Sequence, residues 1–219
     1  MDRQDKQPNF IDLATKAPVD KESIQFFSNQ PRMRPYLSES SPYQPIDFLS
    51  RRVEHNDTSN TFFNQAMNSP TTIPRLTALL HKDIVSMKPV PESRKGEDPV
   101  EPDIVIFVEI GSGLNGFRDT VHGGAISSLL DETLSYCVEG LRCCVGSDQQ
   151  GEPPRLYTAK LNISFRAPVY SPGVFMVTAW LKERQGRKWF LDSRMTGDNG
   201  QVYAEAKGLW ISEKPRAVI

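Results

Sequence analysis

The sequence has 219 residues and only three cysteines, Cys137, Cys143 and Cys144, all within one short region. An odd, clustered set of this kind matches neither a disulfide framework nor a zinc-ligand pattern, so a reducing, cytoplasmic setting is expected. Histidine is equally scarce: His55 and His81 have no partner pattern around them, His122 is the third, and no metal set is visible. No apolar run approaches the ~20 residues of a membrane span. Charge of one sign is missing too. With 26 basic and 27 acidic residues the net charge is −1, so no global field argues for nucleic acid or a membrane surface. The N-terminal stretch lacks a hydrophobic signal core, and its Asp2, Asp5, Asp12, Asp20 and Glu22 are what a mitochondrial presequence avoids. Gly111–Gly116, GSGLNG, lacks the spacing of a dinucleotide fingerprint and no βαβ repeat surrounds it. No cofactor is called for.

What the chain does contain suits one domain with an extension. Residues 1–82 are expected to be an N-terminal extension, polar and proline-rich up to about residue 57, with short helices over Ser59–Asn68 and Thr72–His81. These could pack against the domain or cap a pocket. The domain itself is expected over 83–219. Ile84–Val90 reads as a first strand, Pro91–Pro102 as a charged loop, and Asp103–Ile110, DIVIFVEI, as a strand. After a long helix, Arg142–Pro154 is a polar connection. Strands follow at Leu156–Ala167, Gly173–Lys182, Arg187–Thr196 and Gln201–Ser212, the last pair joined by an Asp-Asn-Gly turn. Clean alternation in the first of these puts Tyr157, Ala159, Leu161, Ile163 and Phe165 on one face and Thr158, Lys160, Asn162, Ser164 and Arg166 on the other.

The stretch that organises the rest is Thr120–Leu141, TVHGGAISSLLDETLSYCVEGL. Ile126, Leu129, Leu130, Thr133, Cys137 and Leu141 make one stripe at helical spacing, which predicts a buried helix. Gly123 and Gly124 fall at its start, where uncovered backbone N–H groups and the helix dipole favour an oxyanion. Asp131 lies off the stripe. A carboxylate in a buried helix is costly unless it is used, which makes Asp131 the candidate for attack, as general base or as nucleophile. Its neighbour Glu132 points about 100° away around the helix and reads as structural. His122 and Asp131 are nine positions apart, roughly 13 Å of rise and half a turn out of phase. One chain does not bring both to one small group, so the spacing predicts a homodimer, or a dimer of dimers, with shared sites.

On these residues the chain resembles the PaaI-like acyl-CoA thioesterase family of the hotdog-fold superfamily. HGGAISSLLDE is similar to that family's His-Gly-Gly turn and central helix with an acid nine positions on. TAKLNISFRAP at Thr158–Pro168 resembles its next strand and QGRKWF at Gln185–Phe190 a later hairpin. The resemblance covers roughly residues 104–213. It implies an α+β hotdog fold, a curved antiparallel sheet wrapped around a central helix, and hydrolysis of an acyl-CoA or a carrier-bound acyl thioester. It also implies site roles: the Gly123 N–H as oxyanion donor, with Gly124 letting the backbone come close, His122 orienting the thioester, and Thr158 positioning water near Asp131. Some family members carry Asn or Gln six residues before the histidine; here that position is Gly116, with Asn115 beside it. Lys160, Arg166, Arg184, Arg187 and Lys188 are candidates for the phosphates of coenzyme A. The rival readings are a hotdog hydratase or dehydratase, and a non-catalytic acyl-binding or scaffold protein.

Overall fold

The structure, a computed structural model, describes residues 8–53, 58–94, 101–145 and 154–214. His55, half of the 91–102 loop and most of the 142–154 connection lie outside the described residues. In chain order the helices are α1 (Phe10–Lys16), α2 (Lys21–Ser28), α3 (Lys82–Val85) and α4 (Gly123–Cys143). The strands are β1 (Tyr43–Ile46), β2 (Arg75–His81), β3 (Ile104–Ile110), β4 (Asn115–Phe117), β5 (Thr120–Val121), β6 (Leu156–Phe165), β7 (Gly173–Gln185), β8 (Lys188–Gly197) and β9 (Val202–Ser212).

Among the described residues seven strands form one antiparallel sheet in the order β1-β2-β3-β7-β8-β9-β6, and β4 and β5 make a separate small hairpin. The central helix α4 packs across β3, β7, β8, β9 and β6. Ala179, Ser193 and Ala206 pair side by side across β7, β8 and β9, Ala204 and Gly208 share the Ala206 face of β9, and these small residues let the helix approach closely. This is the hotdog arrangement expected from the sequence. Burial on α4 is wider than the predicted stripe. Tyr136 is also covered, because Phe48 stacks on it at 4.4 Å and Phe10 meets it edge-on at 5.3 Å.

Those covering residues come from the N-terminal segment, which embraces the sheet. Ile11 and Ala14 of α1 join the core on the α4 side. Phe27 of α2, with Met33, packs on Leu79, Val105, Phe107 and Met176, which face the other way. The same segment supplies β1 and β2, which pair with each other and then with β3.

Three local expectations need correction. Thr72–His81 does not form a helix; from Arg75 on it is β2, buried on both faces with Leu76, Ala78 and Leu80 on one side and Thr77 and Leu79 on the other. A strand covered on both faces reads as a continuous apolar run, which periodicity cannot tell from a helix. Ile84–Val90 is not a strand. The chain makes the single turn α3, capped by His81, whose Nδ1 accepts the Asp83 N–H at 3.2 Å, and leaves through Met87 at φ 51°. Finally, the alternation in β6 is broken by a bulge between Thr158 and Lys160. Thr158 pairs with the buried Trp210, whereas Leu161, Ile163 and Phe165 pair with Gly208, Ala206 and Ala204. Directly opposed residues share a face, so the extra residue, Ala159, moves Thr158 onto the helix side with Leu161, Ile163 and Phe165.

Candidate active site

The β4–β5 hairpin delivers the chain to the start of α4. The His122 N–H donates to the Leu114 carbonyl at 2.8 Å, and His122 is the N-cap, with Nδ1 accepting the Gly124 N–H at 2.9 Å. A ring nitrogen that accepts is unprotonated, so the neutral ring carries its proton on Nε2, free to donate elsewhere. Two glycines make this cap possible. A Cβ at Gly124 would lie 2.9 Å from His122 Nδ1, and one at Gly116 would lie 2.7 Å from His122 Cδ2. The second contact explains the departure at Gly116: a side-chain amide there has no room while His122 holds this pose. Asn115 does not replace it, since its Oδ1 accepts from the Ser171 hydroxyl.

The Gly123 N–H is the first of the helix, so it has no intrahelical partner, and it meets no acceptor among the described residues. Beside it opens a cleft of about 690 Å³ whose walls include His122, Gly123, Phe117, Val121, Ile126 and Phe165. Arg166 borders it as well, and among the described residues no carboxylate lines it. Of the five basic candidates, Arg166 is the one on the cleft, where its Nε bonds Glu205 at 2.9 Å. Arg184 lies 5.0 Å over the Trp189 ring and Arg187 donates to the Ser212 carbonyl.

Asp131 is brought to Thr158. The Thr158 hydroxyl donates to Asp131 Oδ1 at 3.2 Å. Burial raises the Asp131 carboxyl above its ordinary range, and the Thr158 bond partly offsets that. Since α4 is continuous, Asp131 lies about 12 Å of rise beyond Gly123. Within one chain, then, the cleft holds His122 and Gly123, while Asp131 and Thr158 form a second cluster outside it.

One polar group went unseen in the sequence. Ser50, in the N-terminal segment, donates its hydroxyl to Glu132 Oε1, and its N–H donates to the Tyr136 hydroxyl at 2.8 Å. Burial and the neighbouring Asp131 charge raise the Glu132 carboxyl, while the Ser50 bond lowers it. Glu132 thus seats the segment on α4, in keeping with its structural reading. The partners are 82 and 86 residues apart, and no local pattern announces them. The thiols Cys137, Cys143 and Cys144 are free. Among the described residues no helix is long and apolar enough to cross a membrane, and no group of three or more His, Cys, Asp or Glu is placed to hold a metal.

The sequence profile of the Thioesterase superfamily matches residues 119–204. Among curated proteins, the chain is 31% identical to the acyl-coenzyme A thioesterase THEM4 of Bos taurus over 116 residues, 52% of this chain and 43% of the bovine protein. It is 31% identical over 119 residues to THEM4 of Mus musculus, 53% of this chain and 46% of the mouse protein. The match thus spans less than half the length of these relatives. Among solved structures, the PaaI protein of E. coli aligns over 51% of this chain and 72% of its own, with 14% identity and a TM-score of 0.44, too loose to transfer residue roles. His122, Gly123, Asp131 and Thr158 all fall within the segment 119–204 that is similar to the Thioesterase superfamily.

Proposed function

We propose that the protein hydrolyses acyl thioesters of coenzyme A, or of a phosphopantetheine-bearing carrier, in sites shared between two subunits. One observation carries this reading. A desolvated carboxylate, Asp131, held by Thr158, lies on the same helix whose first N–H, that of Gly123, is uncovered beside an apolar cleft. Hydrolysis needs both parts: a donor where the carbonyl oxygen gains charge, and a base for the attacking water.

The two parts lie at opposite ends of β6, which supports sharing. Gly123 packs against Phe165, and Asp131 bonds Thr158. Residues 158 and 165 are roughly 23 Å apart along an extended strand. Among the described residues β6 is an edge strand with its outer side unpaired, and Tyr157 and Phe165 on it are more than half exposed. If β6 pairs antiparallel with its own copy about an axis near Leu161 and Asn162, the Phe165 end of one strand meets the Thr158 end of the other. Gly123 and His122 of one protomer then face Asp131 of the partner subunit.

In such a site the thioester oxygen accepts from the Gly123 N–H, and the His122 Nε2–H donates to the same group and orients it. Asp131 of the partner subunit takes a proton from water as the water oxygen attacks the carbonyl carbon. The carbon–sulfur bond then breaks, the thiolate leaves, and the proton returns to sulfur. Direct attack by the carboxylate is the alternative course at the same residue. The free thiols suit a cytoplasmic, reducing setting. The test is thiol release from short, long and aromatic acyl-CoAs, with Asp131→Asn alongside. Turnover that falls by orders of magnitude in the variant supports the reading; equal rates in both proteins would remove Asp131 from it.

A further inference from the structure

The Phe165 side chain has no role so far, and its placement is unusual for a large aromatic. It is 54% exposed at the end of an edge strand, yet the tip of its ring faces Gly123: a Cβ added there would lie 3.3 Å from Cζ and 3.6 Å from Cε1. Phe165 and Gly123 both line the cleft. The pairing with Ala204 holds Phe165 on the helix side of the sheet, with Leu161 and Ile163 of the same face packed against the core. A flat apolar group is therefore fixed beside the one uncovered N–H that the proposed chemistry needs.

We propose that Phe165 is a positioning residue of the site: its ring is the wall against which the plane of the thioester lies, turning the carbonyl oxygen toward the Gly123 N–H. This rests on the proposed hydrolysis. A thioester is planar and weakly polar at sulfur, so an aromatic face suits it. A ring in van der Waals reach of Gly123 also keeps bulk water from competing for its N–H. Without the wall the ester can rotate away from the donor, and small misplacements of this kind cost about 10- to 100-fold in rate. Gly123 belongs to the same contact, because any side chain there would push the ring away.

The experiment compares Phe165→Ala, Phe165→Tyr and a control, Phe62→Ala. Phe62 is a half-exposed phenylalanine, 52% accessible, that does not line the cleft. Two readouts are taken: steady-state hydrolysis of a short acyl-CoA, and calorimetric binding of its ketone analogue, in which a methylene replaces sulfur and turnover is impossible. Phe165→Ala is expected to lose about 10- to 100-fold in kcat, with its melting temperature and subunit state unchanged. Phe165→Tyr keeps the ring and stays near wild type, as does Phe62→Ala. Wild-type kcat and analogue affinity in Phe165→Ala would overturn the positioning role while leaving hydrolysis intact. If wild type binds the analogue without turning over acyl-CoA, hydrolysis fails, and weakened binding in Phe165→Ala still supports the wall. Neither binding nor turnover in wild type overturns both.

Discussion

Thr158 and Asp131 are 27 residues apart in the chain and are joined by a hydrogen bond of 3.2 Å between β6 and α4. A single inserted residue, Ala159, makes that bond possible by turning Thr158 to the helix side of the sheet. The bond has a direct electrostatic consequence. Burial raises the Asp131 carboxyl and the Thr158 hydroxyl lowers it.

Hydrolysis that needs ionised Asp131 should fall off on the acid side at a pH above that of an ordinary aspartate. Removing the hydroxyl in Thr158→Val moves this acid limb to higher pH, and Thr158→Ser restores it. The pH dependence of kcat/KM measures both. An acid limb that stays in place in Thr158→Val would show that the bond does not tune the base.

Asp131→Asn should abolish turnover without lowering stability. The folded carboxyl has a raised pKa, so its contribution is fully present below the unfolded value and is lost as pH rises through the folded one. At neutral pH the ionised group therefore works against folding, and the amide should melt at the same temperature as wild type or higher. Thermal scans at pH 5 and pH 8 should show the variant gaining on wild type as pH rises. A lower melting temperature at pH 8 would contradict the assignment.

Shared sites predict complementation. A mixture of His122→Ala and Asp131→Asn chains, each inactive alone, forms mixed dimers in which one site has both defects and the other has none. Re-formed from a denatured equimolar mixture, the sample should regain roughly a quarter of wild-type activity per site, since half the dimers are mixed and half their sites are intact. No recovery, in a sample whose mixed dimers are verified by mass, would place His122 and Asp131 of one chain in one site.

The start of β3 depends on a buried ion pair. Arg94 bonds Asp103 through both Nη atoms, at 3.0 and 2.8 Å, and Asp103 also accepts the Leu181 N–H at 2.8 Å. Arg94→Leu leaves a buried carboxylate without its cation and is expected to cost about 3–5 kcal/mol, measured by urea unfolding. Adding Asp103→Leu should recover part of that loss. Equal stability of wild type and Arg94→Leu would show the pair to be without consequence.

Much of this was legible along the chain because its signals are local. The stripe from Ile126 to Leu141 needs only helical period, and the His-Gly-Gly turn needs only three adjacent residues. The strands from β6 to β9 show themselves by β-rich runs between turns, and the acid at Asp131 stands out for being in a helix otherwise built to be buried. What misled was equally physical. β2 is buried on both faces, so its apolar run has no period, and only its pairing with β1 and β3 makes it a strand. A bulge has no fixed sequence mark, so Thr158 was read onto the wrong face of β6.

By itself, then, the sequence determined the central helix, the glycine turn that caps it, and the types of residue available for chemistry, since backbone geometry and hydrophobic period act over a few residues. Only the tertiary structure decided which of them meet: Thr158 with Asp131, Phe165 with Gly123, Ser50 with Glu132. Those contacts depend on strand register and on a segment folded back over the helix. They are set by the burial of surfaces far apart in the chain, which no local pattern records.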